Sequence, residues 1–300
     1  MFSLVLCICT CDRPAGLERV LRAVDGLEWP EGEMPSFAVV VVDNLPDGRA
    51  RDVVERLRPS FRWPLHFVEE PEPGWTVARN RAVAEALALG AEFVAFVDDD
   101  DLPRPDWLWW LWERQRETGA DIVFGGREGI FEADRRPDGT RIQTVELRSV
   151  GALGFPEEAG DGNVMYKAHV FDVLYQVDGS WYTEEFRKSG GADTHLFARA
   201  VRSGLRWAAE PRARVVVAVP DSLRGEFRRM YRYGFSRTRL YAVMGVADEG
   251  VALLLPKLAK GLVRLLKLEG RERRRKALRT FAFNLGRVRG RLPGEIRHYR

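Results

Sequence analysis

The sequence predicts an α/β protein built on a mainly parallel central sheet flanked by helices, with a basic helical extension at its C-terminus. Three observations predict it. Short apolar runs alternate with amphipathic stretches through the first hundred residues, the pattern of strands joined by crossover helices. Three of those runs end in polar clusters, Thr10 to Asp12, Asp43-Asn44 and Asp98-Asp99-Asp100-Asp101. In parallel sheets ligands sit beyond the carboxyl ends of the strands, so the three clusters converge on one edge. Finally, residues 251–300 hold 15 of the 47 Lys/Arg and 3 of the 44 Asp/Glu, a local +12 that leaves −9 for the first 250.

Residues 3–9 read as a buried strand. Cys7, Cys9 and Cys11 alternate on one of its faces, too closely spaced to staple a fold. A C-x-C-x-C metal set is the other reading, but nothing nearby completes a tetrahedron, and burial as small core residues fits better. Without a disulfide framework a reducing, cytoplasmic setting is expected. Asp12 reads as the cap of a helix with Pro14 in its first turn, and Leu17, Val20, Leu21 and Val24 form its apolar stripe.

Residues 37–42 and 65–68 read as the second and third strands, 76–89 as a helix and 93–97 as the fourth strand. A fifth spans 122–125, and the polar stretch from there to about 160 carries no assignable element. Residues 164–174 and 194–202 read as helices, and 214–219 as a buried strand closed by Pro220-Asp221. The chain beyond is helical and basic. The first apolar run lacks the basic flank and small-residue cleavage site of a signal peptide. No run approaches about 18 uninterrupted apolar residues, so no membrane span is expected.

Four consecutive aspartates after a buried strand repel one another unless a cation neutralises them. Carboxylate oxygens suit Mg²⁺ or Mn²⁺, which bind through one or two carboxylates and otherwise through water and phosphate. On a strand end alternate residues point the same way, so Asp98 and Asp100 can share a target while Asp99 faces elsewhere. A solvated acidic turn, or a cap for the segment beginning at Pro103, is the competing reading. A P-loop ATPase is disfavoured because no G-x-x-x-x-G-K-[ST] precedes the run, and no G-x-G-x-x-G follows the first strand.

Six motifs in order, Cys9-Thr10-Cys11-Asp12-Arg13-Pro14, Val42-Asp43-Asn44, Gly74-x-x-x-Ala78-Arg79-Asn80, Phe96-Val97-Asp98-Asp99-Asp100-Asp101, Gly162-Asn163-Val164 and Gly191-Ala192-Asp193-Thr194, resemble the family 2 inverting glycosyltransferases of GT-A fold. The resemblance covers about residues 3–205. It implies a catalytic domain over residues 1–220, with a nucleotide and metal half to about 101 and an acceptor half over 102–220. Residues 221–300 form the basic helical region. The implied donor is a nucleotide-diphospho-sugar, a UDP-sugar in first place with GDP- and dTDP-sugars as alternatives. The implied acceptor is a carbohydrate or a lipid-linked carbohydrate.

By position, the resemblance assigns Thr10, Asp12 and Arg13 to the nucleotide pocket, Asp43 to the base and Arg79 to the donor. It assigns Asp98 and Asp100 to the metal, Mn²⁺ or Mg²⁺, with Asp100 the direct ligand and Asp98 and Asp99 beside the donor. Asp193 matches the catalytic base, although Ala192 stands where the family carries glutamate. Inverting transfer needs one base for the acceptor hydroxyl and a cation for the departing diphosphate. Asp193 also reads as a cap of the helix from Thr194, and His195 as a structural histidine. Asn163, Trp181 and Tyr182 are the acceptor candidates. Trp107, Trp109, Trp110 and Trp112 cannot all face one site on a helix, and they receive no substrate role.

In the tail, Leu253, Leu254, Leu255, Leu258, Leu262, Leu265 and Leu266 interleave with Lys257, Lys260, Arg264 and Lys267, with Phe281, Phe283 and Leu285 as further anchors. That pattern fits an interfacial helix on an anionic membrane surface, peripheral at the inner face of the cell membrane. A helix packed on the catalytic domain with a solvated basic face is the alternative. Nucleic acid is disfavoured, because aromatic and Gly patterns of RNA modules are absent. Two rival functions remain. An inactive sugar-nucleotide-binding scaffold is opposed by the retained Asp98, Asp100 and Asp193. A sugar-nucleotide pyrophosphorylase lacks its Gly-rich Arg/Lys loop after the first strand. Specificity is expected in loops, chiefly residues 126–160.

Overall fold

The computed structural model describes residues 2–45, 47–131, 143–145, 150–156, 159–187, 190–219, 222–267 and 271–292. Strands β1 (Leu4–Thr10), β2 (Phe37–Asp43), β3 (Leu65–Glu69) and β4 (Phe93–Val97) are joined by helices α1 (Pro14–Asp25), α2 (Arg49–Leu57) and α3 (Trp75–Ala88). The helical crossovers make all three pairings parallel, in the order β3-β2-β1-β4.

β1 and β2 are apolar on both faces because helices cover both. Val5, Cys7, Val40 and Val42 enter one core with α3, while Leu4, Leu6, Ile8, Val39 and Val41 enter another with α1 and α2. The expected stripe of α1 is buried in full. Its expected cap is not formed. Asp12 has left-handed backbone, φ 56°, and Arg13 occupies the cap position without a side-chain bond. The Asp12 carboxylate turns outward to pair with Arg49. Of the cysteines, Cys7 is buried, Cys9 is half-buried, and Cys11 lies past the end of β1.

The chain continues through β5 (Leu102–Pro103), α4 (Trp107–Thr118), β6 (Ile122–Phe131), β7 (Gln143–Val145), β8 (Asn163–Lys167), α5 (His169–Asp178), α6 (Ala192–Arg202) and β9 (Trp207–Val219). The described residues form one sheet of nine strands, extended beyond β4 by β8, β6, β9 and β5, with β7 on β6. Parallel pairing therefore holds for the first four strands. Beyond them β4–β8, β6–β8, β6–β7 and β5–β9 are antiparallel, and β6–β9 is parallel.

Three element assignments change. Residues 163–167 are strand rather than helix. Val164, Met165 and Tyr166 are buried in succession, and a short run buried on both faces has no diagnostic period. β6 runs past Gly125, where the sequence pattern stops, through a bulge at Gly125/Gly126. A Cβ on Gly125 would meet the Asn163 side chain at 2.1 Å, so the glycine admits a close neighbour rather than ending a strand. β9 starts at Trp207 rather than 214, its pattern masked by Glu210-Pro211-Arg212 beside that bulge. Residues 132–142, 146–149 and 157–158 of the expected specificity loop, and Pro220-Asp221, lie outside the described residues.

α7 (Leu223–Val243), α8 (Val251–Lys267) and α9 (Arg271–Arg289) follow. Leu240 and Tyr241 of α7, with Met244 just past it, share the core of α3, α5 and α6. α7 and α9 touch backbone to backbone. A Cβ on Gly234 would reach Phe283 O at 1.9 Å, and one on Gly286 would reach Tyr231 O at 2.0 Å. Glu226, fully buried, pairs with Arg275 and Arg279 across the same contact. The leucines of α8 divide. Leu254 is buried and Gly261 packs on Phe281 of α9, while Leu253, Leu255, Leu262 and Leu266 are 49–78% exposed. The expected anchors Phe281, Phe283 and Leu285 are half-buried within the bundle instead.

No described helix is long and apolar enough to cross a membrane.

Candidate active site

β1, β2 and β4 place their carboxyl ends side by side, with Thr10 level with Asp43. Asp43 is 1% exposed. Its Oδ1 accepts from the Leu45 amide at 3.1 Å, while Oδ2 is buried with no hydrogen-bond partner among the described residues, and burial pushes the carboxyl up. Asn44 pins the loop before α3, donating to Glu70 O and Glu72 O and accepting from Gly74 N. That loop delivers Arg79 to the core. Its guanidinium pairs with Asp98 and lies 4.7 Å over the Phe96 ring.

The four aspartates separate by direction. Asp99 turns to β1, accepting from Thr10 Oγ1 at 2.7 Å and Arg13 Nη1 at 2.9 Å. Thr10, Arg13 and Asp99 thus hold one another, with the Thr10 hydroxyl and the Asp99 carboxylate buried. Asp100 is exposed and takes Arg13 Nη1 on Oδ2 at 2.8 Å. Asp101 is buried. Burial pushes the Asp99 and Asp101 carboxyls up; the Asp100 carboxyl, half open to solvent, is pushed up by partial desolvation among its neighbours, and the Asp98 charge adds to this at Asp100 and Asp101. Such crowding is relieved by a cation. Among the described residues the ion pairs engage Oδ1 of Asp98 and Oδ2 of Asp100 and leave the other oxygen of each open. Among the described residues no three Asp, Glu, His or Cys groups form a ready cage. Asp98 Oδ2 and Asp100 Oδ1 are the oxygens that could hold a hard cation, with water and diphosphate oxygens completing its shell.

Across a short turn stands Asp193, the second residue of α6. Gly191, with φ 93°, starts that helix, so Asp193 is not its cap; Oδ1 accepts from Thr194 N at 2.8 Å. Ala192 is 1% exposed within the core, a position that admits no glutamate without burying its charge. His195 is structural. Its Nδ1 lies 3.1 Å from Thr183 Oγ1, and burial with the Arg199 charge pushes the imidazole down to about 4.

The acceptor candidates fare differently. Asn163 is 1% exposed, accepting from Trp107 Nε1 and donating to Gly126 O and Ala213 O, so it ties strands together rather than reaching a sugar. Tyr182 is buried against Trp75, and Asn80 clamps its backbone from both sides. It offers no stacking face. Trp181 is half-buried, with Nε1 on Phe171 O. Two residues escaped the sequence reading. Arg127 lies in the field of Asp101, Asp98 and Asp193, and Asp161 is a buried carboxylate beside Arg79. Asp161 between two glycines is the signal the sequence offers; Arg127 lies past Gly125, where the apolar run ends although β6 continues.

A mixed sheet, parallel over its first four strands, with an aspartate-rich turn at their carboxyl edge, is the architecture of the GT-A glycosyltransferases. The model of Glycosyl transferase family 2 matches residues 5–167, and the chain belongs to that family. Succinoglycan biosynthesis protein ExoM of Rhizobium meliloti (strain 1021) is 30% identical over 242 residues, covering 78% of this chain and 74% of its own. Among solved structures, the mannosyltransferase PcManGT of Pyrobaculum calidifontis, in complex with GDP-Man and Mn²⁺, matches with TM-score 0.64 and 17% identity, over 96% of this chain and 87% of that one. TarS 1-349 of S. aureus with UDP-GlcNAc matches at 0.56 and 15%, over 95% and 91%. At such identities these two support the fold.

Proposed function

We propose that this chain is an inverting, metal-dependent glycosyltransferase acting on a nucleotide-diphospho-sugar in the assembly of a cell-surface polysaccharide, lipopolysaccharide or glycolipid. The observation that carries the reading is the placement of Asp98 and Asp100 on one side of a buried turn and Asp193 on the other. Asp43, with one buried oxygen unpartnered, is suited to accept from the nucleotide base. The acceptor oxygen attacks the anomeric carbon as the bond from that carbon to the diphosphate breaks, and Asp193 takes the acceptor proton. Mn²⁺ or Mg²⁺ held by Asp100 and Asp98, when bound, supplies positive charge to the departing diphosphate. Arg127 adds fixed positive charge between the two sides.

The names of the similar proteins support this reading: succinoglycan biosynthesis for one, GDP-Man with Mn²⁺ and UDP-GlcNAc for the others. A UDP-sugar remains the first choice of donor. The exposed leucines of α8, beside Lys257, Lys260 and Arg264 and with no acidic residue in the helix, support reversible attachment to the anionic inner face of the membrane. Residues 1–220 would then carry the chemistry and 221–300 the attachment, which suits a lipid-linked acceptor.

A panel of nucleotide-sugars screened by thermal shift tests the donor reading. At least one nucleoside diphosphate sugar should raise the melting temperature, and only with Mn²⁺ or Mg²⁺ present. Stabilisation by none, or equal stabilisation with chelator, would contradict it.

A further inference from the structure

Between the aspartate run and Asp193 the chain makes one tight turn, Gly160-Asp161-Gly162-Asn163, closed by Asn163 N donating to Gly160 O at 3.2 Å. All four residues are buried. The two glycines face opposite ways. A Cβ on Gly162 would sit 2.5 Å from Asp98 Oδ2 and 2.8 Å from Asp101 Oδ2, while one on Gly160 would sit 2.4 Å from Arg127 Nη2 and 3.3 Å from Asp193 Oδ2. Neither glycine has left-handed backbone, so it is space and not conformation that excludes a side chain at both.

The residue between them is charged. Asp161 is 2% exposed; Oδ1 accepts from the Tyr166 hydroxyl at 2.5 Å, and among the described residues Oδ2 has no hydrogen-bond partner. The Tyr182 hydroxyl lies near the same carboxylate without hydrogen-bond geometry. Arg79, on the donor side, attracts Asp161, and Asp193, on the acceptor side, repels it. Arg79 in turn holds Asp98. An incompletely paired buried carboxylate costs stability, and a neutral Asn or Thr would satisfy Tyr166 as well. The charge has a use only through its neighbours.

We infer that this turn is the partition between the donor and acceptor sides of the site, and that Asp161 is a positioning residue which sets Arg79, and hence Asp98, against Asp193. Gly162 keeps the Asp98 carboxylate in place for the metal and diphosphate. Gly160 keeps Asp193 in place for the acceptor, with Arg127 packed beside it between the two sides. A side chain at either position displaces one set and spares the other. The inference rests on the proposed roles of Asp98 and Asp193.

Three variants of the full chain, assayed for transfer with the donor found in the panel, test it. Gly162→Ala should raise the donor KM about tenfold with kcat little changed, and Gly160→Ala should lower kcat about tenfold with the donor KM little changed. Asp161→Asn, which keeps the Tyr166 bond, should lower kcat about tenfold without lowering the melting temperature. Equal effects of both glycine variants on both constants, or wild-type kinetics for Asp161→Asn, would overturn the partition. An Asp193→Asn control separates the two failures. If it retains transfer, the underlying reading of the base fails; if it is inactive while Gly160→Ala and Gly162→Ala behave alike, only the partition does.

Discussion

Trp107 Nε1 donates a 2.6 Å hydrogen bond to Asn163 Oδ1, both groups buried, and so locks α4 onto β8 beneath the aspartate run. Asn163 spends its two amide protons on Gly126 O and Ala213 O, at the bulge between β6 and β9. Four elements thus meet at one side chain. Asn163→Ala strips three hydrogen bonds and leaves a buried indole N–H and two carbonyls unpaired, a loss of about 3 kcal/mol. The melting temperature should fall by roughly 6–12 °C, while donor affinity of the folded fraction stays unchanged. A selective loss of acceptor binding at wild-type stability would restore Asn163 to the acceptor site.

His195 gives a pH signature. Its imidazole is pushed from 6.5 down to about 4, so the folded state holds it neutral while the unfolded chain protonates it earlier. The associated stability is present above 6.5 and lost as pH falls toward about 4. Asp161, pushed up from 3.8 to about 6, has the opposite sign: its contribution is greatest at low pH and is lost as pH rises through about 6. The difference between wild type and His195→Gln removes that background. In denaturant titrations it should be constant above pH 6.5 and shrink below it, and a flat difference down to pH 4.5 would contradict the buried neutral imidazole.

Asp98 and Asp100 should separate in stability but not in metal use. Asp100→Asn removes an exposed carboxylate, so Mn²⁺-dependent nucleoside diphosphate affinity should fall about tenfold at unchanged melting temperature. Asp98→Asn should match that loss and also cost about 2 kcal/mol, because Arg79 is left buried; the figure lies below the range for fully buried pairs since Asp98 is 38% exposed. Calorimetric titration of both variants with and without Mn²⁺ checks this.

α8 should bind anionic vesicles and release them as salt rises. Lys260→Gln with Arg264→Gln should weaken flotation with phosphatidylglycerol vesicles about thirtyfold, at about 1 kcal/mol for each basic residue lost. Leu255→Glu with Leu262→Glu should abolish flotation while leaving transfer to a soluble acceptor intact. Wild-type protein that stays off such vesicles at low salt would contradict the attachment.

Much of the sheet was legible because β1, β2 and β4 are long apolar runs closed by polar residues, and α1 shows a clean stripe. The apolar run of β4 likewise put Asp98 and Asp100 just past a strand end. What stayed hidden depends on neighbours distant in sequence. Asn163, Thr10 and Asp99 look like ligand residues in one dimension, yet Trp107 and Arg13 claim them in three. Gly125 looks like a breaker until the Asn163 side chain is seen above it. Asp161 carries no local signal beyond its flanking glycines, since its meaning comes from Arg79 and Asp193 on either side.

We propose Asp193 as the base for transfer, with no part in holding the donor. Single-turnover transfer by Asp193→Asn, measured with donor affinity by calorimetry on the same protein, tests it most directly. Transfer should fall by about a hundredfold or more while donor affinity and its Mn²⁺ dependence stay at wild-type values. Transfer near the wild-type rate, or a loss explained entirely by lost donor binding, would contradict it.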